Sequence, residues 1–407
     1  MWVPRVILFI PWVGYEFLVR RPVGWVVRKL EHSRTPRAIF RALFMGIPTG
    51  PGITPLAYYD FGFQPSLGVR LLWEVNFLGQ GSKLTVKMAT WGRNWLRVDF
   101  QERAPLLPTL DLVIDSEWWR RPDRVFYGLG SRSRDEHRGR FREDLFNVQA
   151  MLDWNAFRAT RIKFYGGVRH RDFQRSRCCD DISVDERVAR GDIEALPPGY
   201  ERGYGIARTG VAFDLDTRLG GRGTGSAFRA EGHFEYAFDS GHRDTRWWRW
   251  GGGVGGVLHL DNINEKVLSL WVKALFLEPG GDSDDPGGEV EVPFTEMVRV
   301  GGTRNLRGFP SGRMVDSSGL FATLSYRWPL AAWIDATLYL GTGNVFGENL
   351  AGFKPSLLRG SFGLGFSLAG LSAGRWAQIW TAVGTEPWDE GFEVTSFRLV
   401  LGWSYAP

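Results

Sequence analysis

The sequence predicts an all-β fold. We expect a transmembrane antiparallel β-barrel of about 16 strands over residues 53–405, preceded at residues 1–50 by an N-terminal periplasmic segment of amphipathic interfacial helices. Three observations predict it: apolar and polar residues alternate in segment after segment, short and long connections alternate in order, and the last segment is amphipathic and ends in an aromatic residue.

The averages alone conceal this. The chain has 407 residues, 43% apolar and 23% charged, with 52 Gly, 19 Trp, 28 Phe and 2 Cys, which could describe a soluble protein. That much apolar and aromatic content excludes disorder, and no Gly-X-Y period indicates collagen. No run of about 18 uncharged apolar residues occurs, so a polytopic helical membrane protein is excluded too. The formal charge of +5 comes from basic residues spread along the chain, and no RNP, helix-turn-helix or zinc-finger pattern points to nucleic acid. Cys178 and Cys179 are adjacent, a spacing that rarely bridges and that matches no metal motif; they are expected to be incidental loop residues.

The first 50 residues have helical character. Their apolar run from Val6 to Val19 contains Pro11 and Glu16 and is too short to cross a bilayer of roughly 30 Å as a helix. Beyond Pro22, residues Val23, Val26, Val27 and Leu30 recur at helical spacing. This pattern predicts an interfacial anchor, with Trp2, Trp12 and Trp25 at headgroup level and Arg20, Arg21 and Arg28 reaching anionic lipid. No small-residue cleavage site follows the apolar run, so a secretory signal peptide is not expected here.

The strands follow from parity. Leu67, Val69, Leu71 and Trp73 alternate with Arg70 and Glu74; Leu84, Val86 and Met88 with Lys83, Thr85 and Lys87; Leu96, Val98 and Phe100 with Arg97 and Asp99; Ile162, Phe164 and Val168 with Arg161, Lys163 and Arg169. A soluble sandwich would bury the apolar face, whereas a barrel in a membrane turns it to lipid and lines its interior with the charged one. Connection lengths favour the barrel. Sixteen candidate strands are centred near residues 56, 72, 86, 98, 113, 148, 165, 210, 232, 252, 271, 324, 338, 364, 380 and 399. The long connections at 119–141, 174–202, 280–317 and 344–359 all join an odd strand to an even one, and every return connection is expected to be short.

Phe397, Leu399, Leu401, Trp403 and Tyr405 alternate with Ser396, Arg398, Val400, Gly402 and Ser404. An amphipathic last strand ending in an aromatic residue resembles the sorting signal of outer-membrane barrels. Catalytic patterns are weak: the six histidines are scattered and there is no HExxH or Walker sequence, so no enzyme activity, cofactor or metal is expected.

The most distinctive stretch lies between the eleventh and twelfth expected strands. There Arg307, Gly308 and Phe309 follow Gly-Gly-Thr-Arg-Asn-Leu, and an amphipathic strand ending Tyr-Arg-Trp-Pro-Leu comes next. With Gly343-Asn344-Val345-Phe346 and Gly363-Leu364-Gly365-Phe366 further on, it resembles the BamA/TamA (bacterial surface antigen) superfamily of outer-membrane assembly factors and two-partner-secretion transporters. The resemblance implies a sixteen-stranded barrel whose long loop, here 280–317, folds back inside. It also implies POTRA modules or a patatin domain ahead of the barrel; this chain instead resembles a POTRA-less branch with a short N-terminal amphipathic helix. The family's carboxylate partners of the loop arginine are replaced here by Ser325 and Gly341. Arg307 therefore needs another anion. Asp335, Glu231, Glu235, Asp214 and Asp216 share the lumenal parity, and docking of Arg307 on one or more of them is expected.

The functional expectation is protein insertion, translocation or membrane remodelling in the bacterial outer membrane, through a lateral seam between the first and last strands. Pro55 lacks a ladder donor there and Gly402 weakens its strand. The expected partners are outer-membrane lipids and lipopolysaccharide, with a client protein or periplasmic partner and a homo-oligomer left open. Two alternatives stay open: a plugged pore for small anionic solutes, with lumenal Arg70, Arg97, Arg161, Lys163, Arg169, Arg208 and Lys273, and a structural or adhesive surface protein using its long loops.

Overall fold

A computed structural model describes residues 52–405 apart from 76, 158–159, 218–225, 242–244, 262–265, 281–290, 332–333 and 370–374. The helical segment expected at 1–50, with Trp2, Trp12, Trp25, Arg20, Arg21 and Arg28, lies outside the described residues. Eleven strands come first: β1 Gly52–Asp60, β2 Ser66–Val75, β3 Ser82–Thr90, β4 Leu96–Leu107, β5 Leu110–Phe126, β6 Gly139–Phe157, β7 Thr160–Arg175, β8 Tyr204–Asp216, β9 Ala227–Asp239, β10 Arg246–Asp261 and β11 Lys266–Gly280. A small separate hairpin, β12 Val298–Val300 and β13 Met314–Asp316, precedes β14 Ser318–Ala331, β15 Ile334–Phe346, β16 Arg359–Ala369, β17 Arg375–Pro387 and β18 Val394–Tyr405. All strands except β12 and β13 form one closed antiparallel barrel in chain order, with β18 returning to β1. Each of the sixteen expected strand centres falls inside one of its strands.

Register keeps the two faces apart around the wall. Val69 pairs with Met88, Met88 with Val98 and Val98 with Trp118, an apolar outward row. One position along, Arg70, Lys87, Asp99, Glu117, Asn147 and Arg169 are successive cross-strand partners, a polar belt around the lumen. Leu67, Phe164, Phe213, Val254, Leu270 and Leu338 are exposed on the outside. An apolar band that large needs lipid against it, and closure removes the sheet edge from all of the wall except the first residues of β1. Outward aromatic groups flank the band at both heights, Tyr236 against Trp248 near one rim and Tyr326 against Trp328 near the other.

The rim where β1 begins and β18 ends is the terminal rim; the opposite one is the loop rim. The long connections 127–138, 176–203, 281–317 and 347–358 all lie at the loop rim. The length rule needs one correction. The connection from Asp216 to Ala227, at the terminal rim, is longer than the loop-rim connections 61–65 and 91–95, because nothing in the barrel limits an exposed turn to a minimal length.

The buried core lies inside the barrel, towards the loop rim. Phe294, from the segment that enters the lumen, meets Phe126 (5.3 Å between ring centroids), Phe141 (5.6 Å) and Phe173 (5.2 Å), and the cluster continues through Tyr200 and Tyr204. A phenylalanine fully buried in this way contributes about 1.5–3 kcal/mol. Connection 176–203 folds over the cluster. Its short helix α1, Val184–Ala189, is held by a capping box in which Ser183 and Glu186 satisfy each other's backbone N–H groups. The expectation for the adjacent cysteines is corrected here: Cys178 and Cys179 are disulfide-bonded, in a tight turn at 178–180 where Cys179 takes a φ of 63°.

Candidate functional site

The segment from 291 to 317 crosses the lumen and is held on two walls. β12 and β13 pair through Val298 with Asp316 and Val300 with Met314, and project the turn 301–313 into the barrel. Gly301 and Gly302 hold φ of 116° and 100°, which a side chain would resist, and the turn is closed by the Gly302 N–H donating to the Phe309 carbonyl at 2.9 Å.

Glu296 fastens the first wall. Its carboxylate, fully buried, accepts from Arg169 at 2.9 Å and from Tyr204 at 2.8 Å, and lies 3.5 Å from Arg171 and 3.8 Å from Arg249. Burial opposes its charge, but Arg169, Arg171 and Arg249 outweigh that and hold the carboxyl well below the usual carboxylate range.

The Arg-Gly-Phe turn fastens the second wall. The Gly308 N–H donates to Ser361 Oγ at 2.8 Å, and Ser396 Oγ donates to the Gly308 carbonyl at 2.7 Å. A Cβ on Gly308 would stand 2.0 Å from the Val383 carbonyl oxygen, so only glycine lets the turn lie flat on β17. Phe309 is fully buried beside it.

Arg307 docks on no carboxylate among the described residues, which corrects the sequence-based expectation. Its guanidinium lies 3.6 Å from the centroid of the Trp380 ring and 5.2 Å from that of Tyr339. The acids expected to receive it serve elsewhere: Glu231 takes Lys273 at 2.6 Å, Glu235 takes Arg208 at 3.1 Å, and Asp214 and Asp216 face Arg229 at 3.7 and 3.3 Å. Asp335 lies near the terminal-rim end of β15, opposite Pro329. The physical reason is visible at the two altered positions. Ser325 stands across from Tyr339 in the ladder, and a Cβ at Gly341 would meet the Tyr339 hydroxyl at 2.4 Å. Small residues at both positions leave room for aromatic faces, whose negative quadrupole attracts the cation by about 2 kcal/mol when water is excluded. Tyr339 also donates from its hydroxyl to the Asn305 carbonyl at 2.7 Å.

The seam closes beside this turn. Among the described residues β1 and β18 pair only at Tyr58 with Gly402, Tyr59 with Leu401 and Asp60 with Val400, all at the loop-rim end of β1, and the Phe61 N–H adds a bond to the Leu399 carbonyl. Gly402 thus sits in the last pair, and Pro55, which pairs with Val69 of β2, lies beyond it with no partner on β18. Above the pairs, buried Arg398 binds Asp60 across the seam with two nitrogens. Of the sorting-strand residues, Phe397 and Leu401 are exposed outward and Leu399 shares their parity; the side chains of Trp403 and Tyr405 lie outside the described residues.

Lumenal cations are mostly committed. Arg97 pairs with Asp99 and Glu117, Arg161 with Asp153, Arg169 with Glu296, Arg208 with Glu235 and Lys273 with Glu231. Sequence reasoning missed Glu296, Trp380 and Tyr339 as loop anchors and Arg398 as a seam residue. Arg398 was detectable as the one charged residue of the last strand; Glu296, Trp380 and Tyr339 carried no local signal.

No protein-family model matches the chain, and no curated protein matches it. Solved structures do. BamA from Haemophilus ducreyi lacking POTRA domains 1-3 is similar with a TM-score of 0.58 at 14% identity, over 86% of this chain and 70% of that one. CdiB from Escherichia coli is similar at 0.55 and 13%, over 88% of this chain and 64% of that one. CdiB from Acinetobacter baumannii is similar at 0.53 and 11%, over 87% and 60%. The chain therefore spans between about three fifths and seven tenths of these structures, and the likeness is one of fold.

Proposed function

We propose that the chain is a bacterial outer-membrane barrel of the BamA/TamA type. It inserts or translocates proteins, or remodels the membrane, through the seam between β1 and β18, without catalysing a covalent reaction. The observation that carries this reading is the shortness of the seam: three residue pairs join β1 to β18, against seven between β1 and β2. From Gly52 to Ala57 the β18-facing side of β1 has no ladder partner among the described residues. Unpaired backbone groups at membrane depth cost several kcal/mol each, so this stretch is where an incoming strand would gain most by pairing. The barrel likeness to BamA and CdiB supports the type of protein, and the apolar outer band supports a membrane location. In this reading the terminal rim faces the periplasm, and lipid and lipopolysaccharide surround the wall. Committed lumenal cations and the hairpin across the lumen weigh against an open anion channel.

The test is a disulfide lock. Tyr58→Cys with Gly402→Cys joins the lowest seam pair. Oxidised, it should abolish the assembly or secretion phenotype of the wild type, and a reductant should restore it. Full function with the lock closed, together with steady conductance in planar bilayers, would replace this reading with the pore.

A further inference from the structure

Between the β1–β5 wall and the hairpin turn lies a lumenal cavity of about 630 Å³. Seven Lys and Arg side chains line it, and only two acids, Asp60 and Asp99. Four of the arginines already spend their charge: Arg97 on Asp99 and Glu117, Arg121 on Asp123, Arg124 on Glu143 and Arg398 on Asp60. Glu117, Asp123 and Glu143 stand behind their arginines and do not line the cavity.

Three cations make no salt bridge among the described residues, although Glu143 and Glu296 act on Arg299, and Asp115 on Lys87, at longer range. Lys87 is exposed to the space, across the β3–β4 ladder from an Asp99 that Arg97 already occupies. Arg304, at the hairpin tip, is exposed to it from the opposite side. Arg299 enters from β12, and its Nε is buried with no hydrogen-bond partner among the described residues. Cations brought together from β3, β12 and the hairpin tip, with Trp95 and Phe63 as further lining, leave donors that no described carboxylate closes. Such an arrangement suits an anion with several acceptor oxygens.

We propose that this cavity binds a phosphate-bearing group, held by Lys87, Arg299 and Arg304. The group is either a soluble phosphate compound or the headgroup of an anionic lipid. The cavity also touches Leu56, Ala57 and Tyr58 of β1, beside the last seam pair, which is where a headgroup would enter. The site is complete in the closed barrel, so it stands whether or not the seam opens.

Two probes test it on the full chain. Isothermal titration with pyrophosphate in detergent reads a soluble ligand; native mass spectrometry after exposure to phosphatidylglycerol or phosphatidylcholine nanodiscs reads a lipid. The test variant is K87Q/R304Q, both exposed and outside the buried pairs; R132Q/R190Q removes two exposed loop-rim charges as a control. Heat-modifiable migration verifies that each folds. One-to-one pyrophosphate binding that weakens by about tenfold or more in K87Q/R304Q and not in the control assigns a soluble phosphate. Retention of phosphatidylglycerol but not phosphatidylcholine, lost only in K87Q/R304Q, assigns a headgroup. If neither probe binds, or if both variants behave as the wild type does, the site is refuted.

Discussion

Arg398 of β18 binds Asp60 of β1 across the barrel seam, and the same guanidinium donates to the carbonyl oxygens of Arg307 at 3.1 Å and Phe309 at 2.8 Å. One buried side chain thus ties the shortest strand pairing of the barrel to the hairpin inside it. Moving the hairpin turn takes acceptors away from Arg398, and separating the strands takes away its counter-ion. The two movements are mechanically linked at this residue.

Replacing Asp60 by Asn leaves Arg398 charged and buried without its partner. Breaking a buried pair from one side costs about 3–5 kcal/mol. We expect a lower unfolding temperature and faster hydrogen exchange at Tyr59 and Phe61, while the β5–β6 amides exchange as before. Unchanged exchange at the seam would mean that the ladder alone holds it.

Arg307 and Trp380 should be energetically coupled. In a double-mutant cycle with Arg307→Met and Trp380→Leu, which preserve most of the apolar volume, the coupling should be about 1–2 kcal/mol in favour of the native pair. Trp380→Glu, which places a carboxylate on the wall, should keep Arg307 docked. A coupling near zero would make the stack a by-product of packing.

Gly308→Ala should dislodge the turn, because its methyl would collide with backbone rather than with a movable side chain. The barrel should still form, since all sixteen wall strands are untouched, but the hairpin should become open to protease between Gly301 and Arg313. Protection equal to the wild type would show that β17 gives way instead.

Acid should loosen connection 176–203 through Glu186. Hydrogen bonds from Arg177, from the Ser183 N–H and from Arg175 hold its carboxyl down to about 2, below the ordinary 4.5. A depressed carboxyl stabilises the fold fully above about pH 4.5 and loses that contribution as pH falls towards 2. Pepsin should therefore cut near α1 much faster at pH 2 than at pH 4, and Glu186→Gln should remove the difference between the two.

Parity made the barrel legible before any coordinates. Each strand meets lipid on one side and a charged interior on the other, so a period of two is written into every wall segment, from Leu67 to Leu401. The candidate site was legible only in part. The Arg-Gly-Phe turn stood out through its motif, and Pro55 and Gly402 through their backbone chemistry. Their partners did not, because Arg307 meets Trp380, Glu296 meets Arg169 and Arg398 meets Arg307 across the lumen, between segments far apart in the chain. Five lumenal acids satisfy the electrostatic argument for Arg307 equally well, and nothing local marks Trp380 as the surface that it meets.

The sequence by itself determined a barrel of about sixteen strands and which face of most strands meets lipid, because alternation is a local property imposed by two solvents on neighbouring residues. Only the tertiary structure decided that an arginine rests on an indole, that β1 and β18 share three pairs, and that Lys87, Arg299 and Arg304 line one cavity. Those outcomes depend on distances across a closed lumen, and these are set only when the last strand meets the first.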